Sequence, residues 1–357
     1  MSTIKCEVTA IHDVRPHGNA DTIELATVGG WQVCVRKGQY RDGDPIVYME
    51  SGTTIPAEAA ERLGIRNYLS EKTDIDGNRV LVIHRVKLRG EPSFGLVLTP
   101  ELGMNIGDDV AAYYNATKYE PPMRLTATDS LPADPRFPQY TNIENLRSYH
   151  EVLTPSEVVV VSEKVHGTNV RVGLVYIEDF DGEMVWQPMA GSHRLRRKPS
   201  GDEEARQNIY WFPLSLRPVH NLLTAMVNQM AQRQVILYGE VFGPGIQSYT
   251  YGQNRIGFRV FDLMVDGQYL DHGEFQVLCD EHDVPTVPIL DIVQYTLGAI
   301  KALSEGPSLI GGRHGREGVV VKPLRERDDP KIGRVILKYI SDHYLFSKEA
   351  EQDTTDV

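Results

Sequence analysis

The hydrophobic pattern of the first part of the chain consists of short apolar stretches broken by glycine and aspartate turns. It predicts strands over residues 23–28, 31–36, 44–49, 79–87 and 94–98. Short alternating stretches of this kind are typical of half-buried strands, and no long helical period interrupts them. Many short strands in one small unit favour a β-barrel, and the OB-fold is a common small barrel that binds nucleic acid.

Beyond residue 138 the pattern changes to mixed helix and strand. Leu222, Leu223, Met226, Val227 and Met230 recur at three- and four-residue steps, which predicts the apolar face of a helix. A hairpin and two further helical segments follow it along the chain. The strands predicted in this part are residues 158–164, 235–238, 257–265, 318–322 and 335–339.

Two segments show little regular pattern. Residues 126–138 are rich in proline, aspartate and threonine, as is typical of a linker. The acidic end, residues 349–357, is typical of a frayed tail. Because 357 residues are many for one hydrophobic core, the sequence predicts two domains.

The composition is that of a globular protein, with 41% hydrophobic and 24% charged residues. No apolar run is long enough to span a membrane, and the N-terminus lacks a signal-peptide core, so we expect a cytoplasmic protein. The net charge of −12 argues against a protein that simply coats nucleic acid, because phosphate binding depends on lysine and arginine. The basic stretch HRLRRK, residues 193–198, is a local exception, and a solvated loop explains it equally well on charge alone.

A lysine stands at the polar end of a valine-rich strand in the stretch VVVVSEKVHGTNV, residues 158–170. A strand end is rigid, and Gly167 just beyond Lys164 lets the backbone approach another group closely. Taken singly, such a lysine is explained by a solvated strand end. A nucleotide site would combine cations for the phosphates with carboxylates for a ribose hydroxyl and a metal ion. Other strand ends in this part supply those groups, at Glu240, Glu317, Lys322 and Lys338.

Five segments containing these residues resemble, in order, the motifs of the covalent nucleotidyltransferases. The segments are KVHGTN (164–169), YGEVFG (238–243), FRVFD (258–262), EGVVVK (317–322) and LK (337–338). The first is similar to the motif of ATP-dependent RNA ligases that seal nicks in duplexes, whereas DNA ligases and capping enzymes usually carry Asp at the position of His166. Residues 137–145 resemble the opening of that ligase domain. The last motif departs from the family pattern, which often has two lysines separated by one residue, because Ile336 and Ile340 flank Lys338 here.

The N-terminal part resembles the OB domain of the Deinococcus-type branch of these ligases, so the resemblance covers nearly the whole chain. The matching segments are residues 20–25, 30–31, 37–38, 43–44 and 86–90. The resemblance implies an α+β protein with an OB-like β-barrel over residues 1–128. An ATP-grasp-like nucleotidyltransferase domain of antiparallel sheets and helices would follow over 129–345, and an acidic tail over 346–357.

The same resemblance implies a mechanism. Lys164 would attack the α-phosphorus of ATP to give lysyl-AMP and pass AMP to a 5′-phosphate, after which a 3′-hydroxyl would displace it. The attack needs an uncharged amine, which burial and the neighbouring cations Lys322 and Lys338 would favour. The expected cofactors are ATP and Mg²⁺ or Mn²⁺. The expected partner is a nicked RNA or RNA-containing duplex, bound by a monomer that does not associate with membranes.

Residue roles follow by match to the family motifs. Phe258 would stack on adenine or simply pack in the core, and His166 would contact the nucleotide or brace its loop. Arg194 would contact the nucleotide or the 5′-phosphate, and Glu317 would place the metal. The catalytic set is Lys164, Glu240, Lys322 and Lys338. The nucleotide-binding set is Glu163, Val165, His166, Gly167, Asn169, Arg194, Phe258 and Glu317.

The nucleic-acid-binding set combines cations of the N-terminal domain with the basic stretch. Its members are Arg36, Lys37, Lys87, Arg89, Arg196 and Arg197. The alternative is that the N-terminal cations are ordinary surface charges and that Trp31 belongs to the core. A DNA ligase or a capping enzyme is the nearest enzymatic alternative, but both usually place the OB domain last. A non-catalytic RNA-binding OB protein is the other alternative, and the retained lysines and glutamates argue against it.

Overall fold

The computed structural model describes residues 4–122, 129–179, 181–199, 208–229 and 233–347. The chain divides into two compact units. The first contains residues 4–122 together with Glu144–His150, and the second contains residues 129–143 and 151–347. Most of the predicted acidic tail, residues 348–357, lies outside the described residues. No helix in the described part of the chain has the length and apolar character needed to cross a membrane.

The first unit consists of short antiparallel strands around one apolar core. Two predicted strands, residues 23–28 and 31–36, are confirmed with the same bounds, and the predicted strand 79–87 is two strands instead. The helices are Ala57–Arg62 and Ala111–Tyr114. The strands are β1 Cys6–Ala10, β2 His12–Pro16, β3 Ile23–Val28, β4 Trp31–Arg36, β5 Pro45–Met49, β6 Thr53–Ile55, β7 Leu69–Thr73, β8 Arg79–Ile83, β9 Val86–Leu88, β10 Glu91–Ser93, β11 Leu96–Leu98 and β12 Thr117–Lys118.

These strands pair in the orders β1–β5–β11, β12–β6–β8–β7, β2–β3–β4 and β10–β9. Alternate residues of several strands point to one side, and Val8, Val47, Met49, Leu81 and Ile83 form the core there. The burial of these apolar side chains stabilises the packing of the short strands in this unit.

The segment Glu144–His150 completes the first unit and begins with the short strand β14, Glu144–Asn145. The Trp31 indole N–H donates to Ser148 Oγ at 3.1 Å, and the Arg147 guanidinium lies 5.0 Å from the Trp31 ring centroid. Trp31 is buried, so its interpretation as a core residue is confirmed.

The second unit contains two large antiparallel sheets, the two-stranded sheet β24–β25 and several helices. The first sheet has the order β13–β18–β17–β16–β19–β20–β21, and the second contains the order β26–β23–β15–β22. The helices are Arg217–Gln229, His272–Glu281, Leu297–Ser304 and Asp342–Leu345. The strands are β13 Ser130–Leu131, β15 Val158–Lys164, β16 Thr168–Glu178, β17 Met184–Ser192, β18 Arg196–Arg197, β19 Gln234–Phe242, β20 Gly257–Val265, β21 Gln268–Tyr269, β22 Ile289–Gln294, β23 Gly318–Pro323, β24 Asp328–Asp329, β25 Gly333–Arg334 and β26 Leu337–Ile340.

The helix Arg217–Gln229 covers one face of the first sheet. Its residues Leu222, Leu223 and Met226 pack with Val170 and Val172 of β16, which confirms the predicted apolar face. The predicted Met230 lies outside the described residues. Because strand side chains alternate, the residues between these valines face away from the helix.

That opposite face of the first sheet packs against the second sheet. Ile236 and Tyr238 of β19 share an apolar cluster with Val320 of β23 and with Ile336. The two sheets meet on this side, and we call the side of each sheet that faces the other sheet the cleft face. It is the face that carries Asn169 in the first sheet.

The described part of the predicted linker, residues 129–138, packs within the second unit instead of joining domains freely. Ser130–Leu131 pairs with Arg196–Arg197, and the buried Phe137 lies beneath the Arg171 guanidinium at 4.9 Å. Asp134 and Asp129 of this segment form ion pairs with Arg196 and Arg197. Composition alone does not distinguish such paired aspartates from solvated ones.

Candidate active site

Strand register places three of the predicted lysines on one face of the second sheet. Lys164 lies opposite Gly318, Val160 lies opposite Lys322, and Val320 lies opposite Lys338. Positions 318, 320 and 322 alternate along β23, so they share the face on which Val320 packs towards the first sheet. Lys164, Lys322 and Lys338 therefore all lie on the cleft face.

Lys164 contacts a buried carboxylate. Its Nζ donates a hydrogen bond to Glu317 Oε1, and the side chains of Lys164 and Glu317 are 19% and 0% exposed. Glu317 immediately precedes β23, so the pairing of Lys164 with Gly318 brings the two side chains together. The sequence predicted both residues at the site but did not predict that they pair.

His166 braces the turn that follows Lys164. Its Nδ1 donates to Glu317 Oε2 at 3.1 Å, and its Nε2 lies 3.0 Å from Ser248 Oγ. Its backbone N–H donates to the Tyr251 hydroxyl at 2.6 Å. The buried ring is thus held on both nitrogens, which favours the bracing interpretation of His166.

Gly167 permits a close approach between backbones. A Cβ at this position would collide with the carbonyl oxygen of Val241 in β19 and would lie 2.9 Å from Glu240 Cγ. The glycine brings the turn after Lys164 next to Glu240, and Val165 on this turn is buried. The backbone at Gly167 therefore approaches strand β19 of the first sheet closely.

The side chain of Glu163 is engaged by a loop of the protein, and its contact with the nucleotide stays a prediction. Its carboxylate accepts hydrogen bonds from Ser308 Oγ at 2.6 Å and from the Leu309 backbone N–H at 2.8 Å. Adjacent strand residues point to opposite faces, so Glu163 faces this loop when Lys164 faces the cleft. Glu163 anchors the loop and is itself buried.

Glu240 and Asn169 lie opposite each other on neighbouring strands of the first sheet. Asn169 Oδ1 is buried and has no hydrogen-bond partner among the described residues. A buried polar atom of this kind costs free energy until a donor satisfies it, and a ribose hydroxyl is such a donor. The pair therefore presents a carboxylate and an unsatisfied amide oxygen on neighbouring strands.

Lys322 lies in a network of four charges. Its Nζ contacts Asp262 Oδ1 at 2.5 Å and Glu326 Oε1 at 3.5 Å, while Arg334 contacts Asp262 at 3.0 Å and Glu326 at 2.6 Å. Burial raises the pKa of Asp262, but Arg334 and Lys322 outweigh burial and hold that pKa below its usual value. The motif FRVFD identified Asp262, whereas no sequence signal identified Arg334 or Glu326.

Three cations, Arg171, Arg194 and Lys338, influence the charge of His193. Burial, assisted by Arg194, Arg171 and Lys338, lowers the pKa of His193 to about 4. The Arg171 guanidinium donates to the His193 carbonyl at 3.2 Å and is almost fully buried, and burial lowers the pKa of Arg171 to about 10. Arg194 is exposed beside this group. Arg171 was missed, although a charged residue inside the apolar strand β16 is itself an unusual pattern.

Arg197 and Arg196 are both engaged within the protein, and their contact with nucleic acid stays a prediction. Arg197 is buried, donates to Asp129 Oδ1 at 2.6 Å and lies 4.3 Å from the Tyr210 ring centroid. Arg196 donates to Asp134 Oδ2 at 3.0 Å. The strand pairing with residues 130–131 turns both arginines towards nearby carboxylates.

Phe258 lies on the helix-covered face of the first sheet. It is 4% exposed and packs with Val241, Val260 and the apolar residues of the helix Arg217–Gln229. Packing alone accounts for its position, and stacking on adenine stays a prediction. The N-terminal cations Arg36, Lys37, Lys87 and Arg89 are all exposed, as phosphate contacts require.

The carboxylate that contacts Lys164 suits a divalent cation that takes most of its ligands from the substrate and from water. The described residues contain no group of three or more His, Cys, Asp or Glu side chains that could hold a metal. Mg²⁺ is usually held by one or two carboxylates together with substrate phosphates. Glu317 is a carboxylate of that kind.

Comparison with known proteins agrees with both units. A family model described as RNA ligase matches residues 157–340, and an OB-fold domain model matches residues 5–100. Naegleria gruberi RNA ligase with PPi shares 25% identity at a TM-score of 0.70, over 95% of this chain and 97% of that chain. A mutant of that ligase with ATP and Mn shares 26% identity at a TM-score of 0.73, over 95% of this chain and 98% of that chain.

A second mutant of that ligase, with AMP and Mn, shares 26% identity at a TM-score of 0.72, over 95% of this chain and 97% of that chain. None of the curated proteins matches this chain. The OB-fold match confirms the predicted N-terminal fold, and the structural likeness confirms the α+β architecture. Because the RNA ligase model matches more than half of its residues, the chain belongs to the RNA ligase family.

Proposed function

We propose that the protein joins RNA 3′-hydroxyl and 5′-phosphate ends at nicks in duplexes, through a lysyl-AMP intermediate and an adenylylated 5′-phosphate. The observation that carries the proposal is the contact of Lys164 Nζ with the buried carboxylate of Glu317, on the face shared with Lys322 and Lys338. A lysine held at a rigid strand end beside a carboxylate is well placed to act as a nucleophile.

In the first step, Lys164 Nζ forms a bond to the α-phosphorus of ATP while the bond to pyrophosphate breaks. Nζ must lose a proton, and Glu317 Oε1 already accepts a hydrogen bond from it. Glu317 thus orients the amine and stands where that proton can be taken up. A bound divalent metal supplies charge neutralisation for the phosphates.

ATP and a divalent metal are the proposed cofactors. The N. gruberi ligase structures that this chain resembles contain ATP with Mn or AMP with Mn. The positive charges of Lys338 and Arg194 both act on His193, and we propose that these two side chains contact phosphate groups of the nucleotide or of the 5′-end. Glu240 would hold the ribose, opposite the unsatisfied Asn169 oxygen.

The N-terminal OB domain, residues 1–128, is proposed as a platform for the duplex next to the catalytic domain, residues 129–345. Its exposed cations Arg36, Lys37, Lys87 and Arg89 would contact phosphates and leave base sequence unread. Because Glu144–His150 packs within the first unit, a fragment that begins at residue 129 would expose surface that is buried in the full chain. Point variants of the full chain are therefore the better test.

The proposed activity is tested by incubating the protein with labelled ATP, GTP or NAD and a divalent metal, and separating the product on a denaturing gel. We expect a covalent adduct with ATP and little with GTP or NAD. An adduct with GTP alone would favour the capping alternative. If none of the three nucleotides gave an adduct, the non-catalytic alternative would be favoured.

The substrate is tested with nicked duplexes that differ only in the strand bearing the 3′-hydroxyl. We expect sealing when that strand is RNA and poor sealing when both strands are DNA. Equal sealing of the all-DNA nick would favour the DNA ligase alternative and would leave the adenylylation step unchallenged.

The OB domain is tested by replacing its four cations together with alanine. Loss of four phosphate contacts should weaken nick sealing at least about tenfold at moderate salt and reduce its salt dependence. Lysyl-AMP formation should stay at the wild-type rate, because that step needs no duplex. Wild-type sealing by this variant would identify the four residues as ordinary surface charges.

A further inference from the structure

We propose that Tyr251 is a positioning residue whose hydroxyl fixes the turn after Lys164 and so aims the amine at the nucleotide. The inference rests on the proposed function and adds a residue to it. Tyr251 lies 85 residues from His166 in sequence, yet its hydroxyl oxygen accepts the His166 backbone N–H at 2.6 Å. His166 is two residues from Lys164, so the hydrogen bond acts on the backbone that carries the nucleophile.

The backbone of Tyr251 adopts an unusual conformation. Its φ of +54° lies in the left-handed region, which is a genuine outlier for a bulky side chain. Such strain persists only where the surroundings over-determine the position, and it concentrates at functional sites. Tyr251 and Gly252, with φ of +54° and +67°, are the two central residues of a turn closed by a hydrogen bond from the Gln253 N–H to the Thr250 carbonyl at 2.9 Å. The turn is exposed at Thr250 and Gly252, but Tyr251 itself is buried, with 2% of its surface exposed.

A pair of glycines makes this conformation possible. A Cβ on Gly311 would lie 2.9 Å from the Tyr251 carbonyl oxygen, and a Cβ on Gly312 would lie 3.2 Å from the Tyr251 Cα. The ring is fixed as well, with edge contacts to Phe242 at 5.2 Å and His314 at 4.8 Å between centroids. Backbone and ring are therefore both confined, and the hydroxyl has a defined place.

That place is among the carboxylates of the site. Burial raises the pKa of Tyr251 well above its usual value, and Glu317, Glu163 and Glu240 raise it further, although the hydrogen bond from His166 opposes them. The phenol is accordingly neutral at physiological pH. Its oxygen lies 2.6 Å from the backbone nitrogen of His166, whose ring contacts Glu317, the residue proposed to orient the amine.

The hydrogen bond restrains the turn between Lys164 and Gly167. Glu317 restrains the Lys164 amine and the His166 ring, but neither of these contacts fixes the peptide between residues 165 and 166. Without the Tyr251 hydroxyl, that N–H would be buried without its partner and the turn could shift. In-line attack on phosphorus depends strongly on such alignment.

The test compares Tyr251→Phe, which removes the hydroxyl and keeps the ring, with the wild-type protein. We expect the single-turnover rate of lysyl-AMP formation at saturating ATP to fall about tenfold. The ATP concentration that gives half the maximal rate should stay unchanged, because no proposed ATP contact is removed. Amide hydrogen exchange of peptides that contain residues 165–167 should become faster.

The matched control is Tyr119→Phe. Tyr119 is a buried tyrosine of the first unit whose hydroxyl donates to the Thr73 carbonyl at 2.9 Å. It should lose comparable thermal stability while retaining the wild-type rate. A wild-type rate in Tyr251→Phe, or an equal loss in Tyr119→Phe, would overturn the inference and leave the proposed function intact. Failure of the wild-type protein to form any adduct would overturn the proposed function and this inference with it.

Discussion

Lys164 and Lys322 lie on the same face of neighbouring strands, and each ammonium group contacts a buried carboxylate. Lys164 shares Glu317 with a histidine and keeps 19% of its side chain exposed. Lys322 is 9% exposed and belongs to a balanced network with Asp262, Glu326 and Arg334. The same residue type, at similar strand positions, thus occurs in two different electrostatic settings.

The difference bears on the separate roles proposed for the two lysines, Lys164 as the nucleophile and Lys322 as a phosphate contact. A buried ion pair is costly to desolvate, and it stays in place when several partners offset the cost. The network of Lys322 contains two cations and two carboxylates, so its charges balance inside the protein. The amine of Lys164 lies at the strand end, where a ligand can still reach it. We infer that Lys322 is held in position to contact phosphate while Lys164 reacts.

The largest expected effect is at Lys164. Lys164→Ala should abolish the ATP adduct completely, because no other amine among the described residues is placed at a strand end beside Glu317. The measurement is adduct formation with labelled ATP, with circular dichroism to confirm that the variant folds. A retained adduct in Lys164→Ala would show that the nucleophile is another residue.

Lys322→Ala should reduce stability more than an ordinary surface substitution. Removing one partner from a buried charge network costs about 3 kcal/mol, because Asp262 and Glu326 lose a cation. The control is Lys301→Ala, whose exposed pair with Asp342 at 3.5 Å should contribute less than about 1 kcal/mol. The free energies of unfolding come from urea titration of both variants. Equal values would contradict the description of Lys322 as part of a fixed network.

The smallest expected effect concerns pH and His193. The pKa of His193 is lowered to about 4 in the folded protein, so the unfolded chain binds its proton first as pH falls. Stability from this group is therefore full above the unfolded pKa and is lost as pH falls towards 4. His193→Gln should lose less stability than wild type between pH 7 and pH 5, by on the order of 1 kcal/mol.

The midpoint of thermal unfolding, followed across this pH range, distinguishes the variant from wild type. Identical pH dependence in wild type and His193→Gln would contradict the burial of an uncharged imidazole among Arg171, Arg194 and Lys338.

Much of the fold was predictable because strand periodicity depends on local sequence. The strands 23–28 and 31–36 were predicted with the observed bounds, and the helix face around Leu222 was correct. Register between distant strands was not predictable, and register decides which charged side chains meet. Thus Lys164 and Glu317 were identified separately, while their contact appears only once β15 pairs with β23.

The contacts that the sequence did not predict have the same origin. Arg197 was assigned to nucleic acid because its neighbours are basic, but pairing of β18 with β13 brings Asp129 to it. Glu163 was assigned to the nucleotide because it adjoins Lys164, but adjacent residues of a strand face opposite ways. Tyr251 was missed because its contact with His166 spans 85 residues and its φ cannot be read from composition.

The most direct test of the central claim is to locate AMP on the protein. The wild-type chain is incubated with ATP and Mn²⁺, digested under conditions that preserve a phosphoramidate bond, and its peptides are sequenced by tandem mass spectrometry. We expect AMP on the peptide that contains Lys164 and on no peptide that contains Lys322 or Lys338. AMP on either of those lysines with Lys164 unmodified would contradict the assignment of Lys164 as the nucleophile.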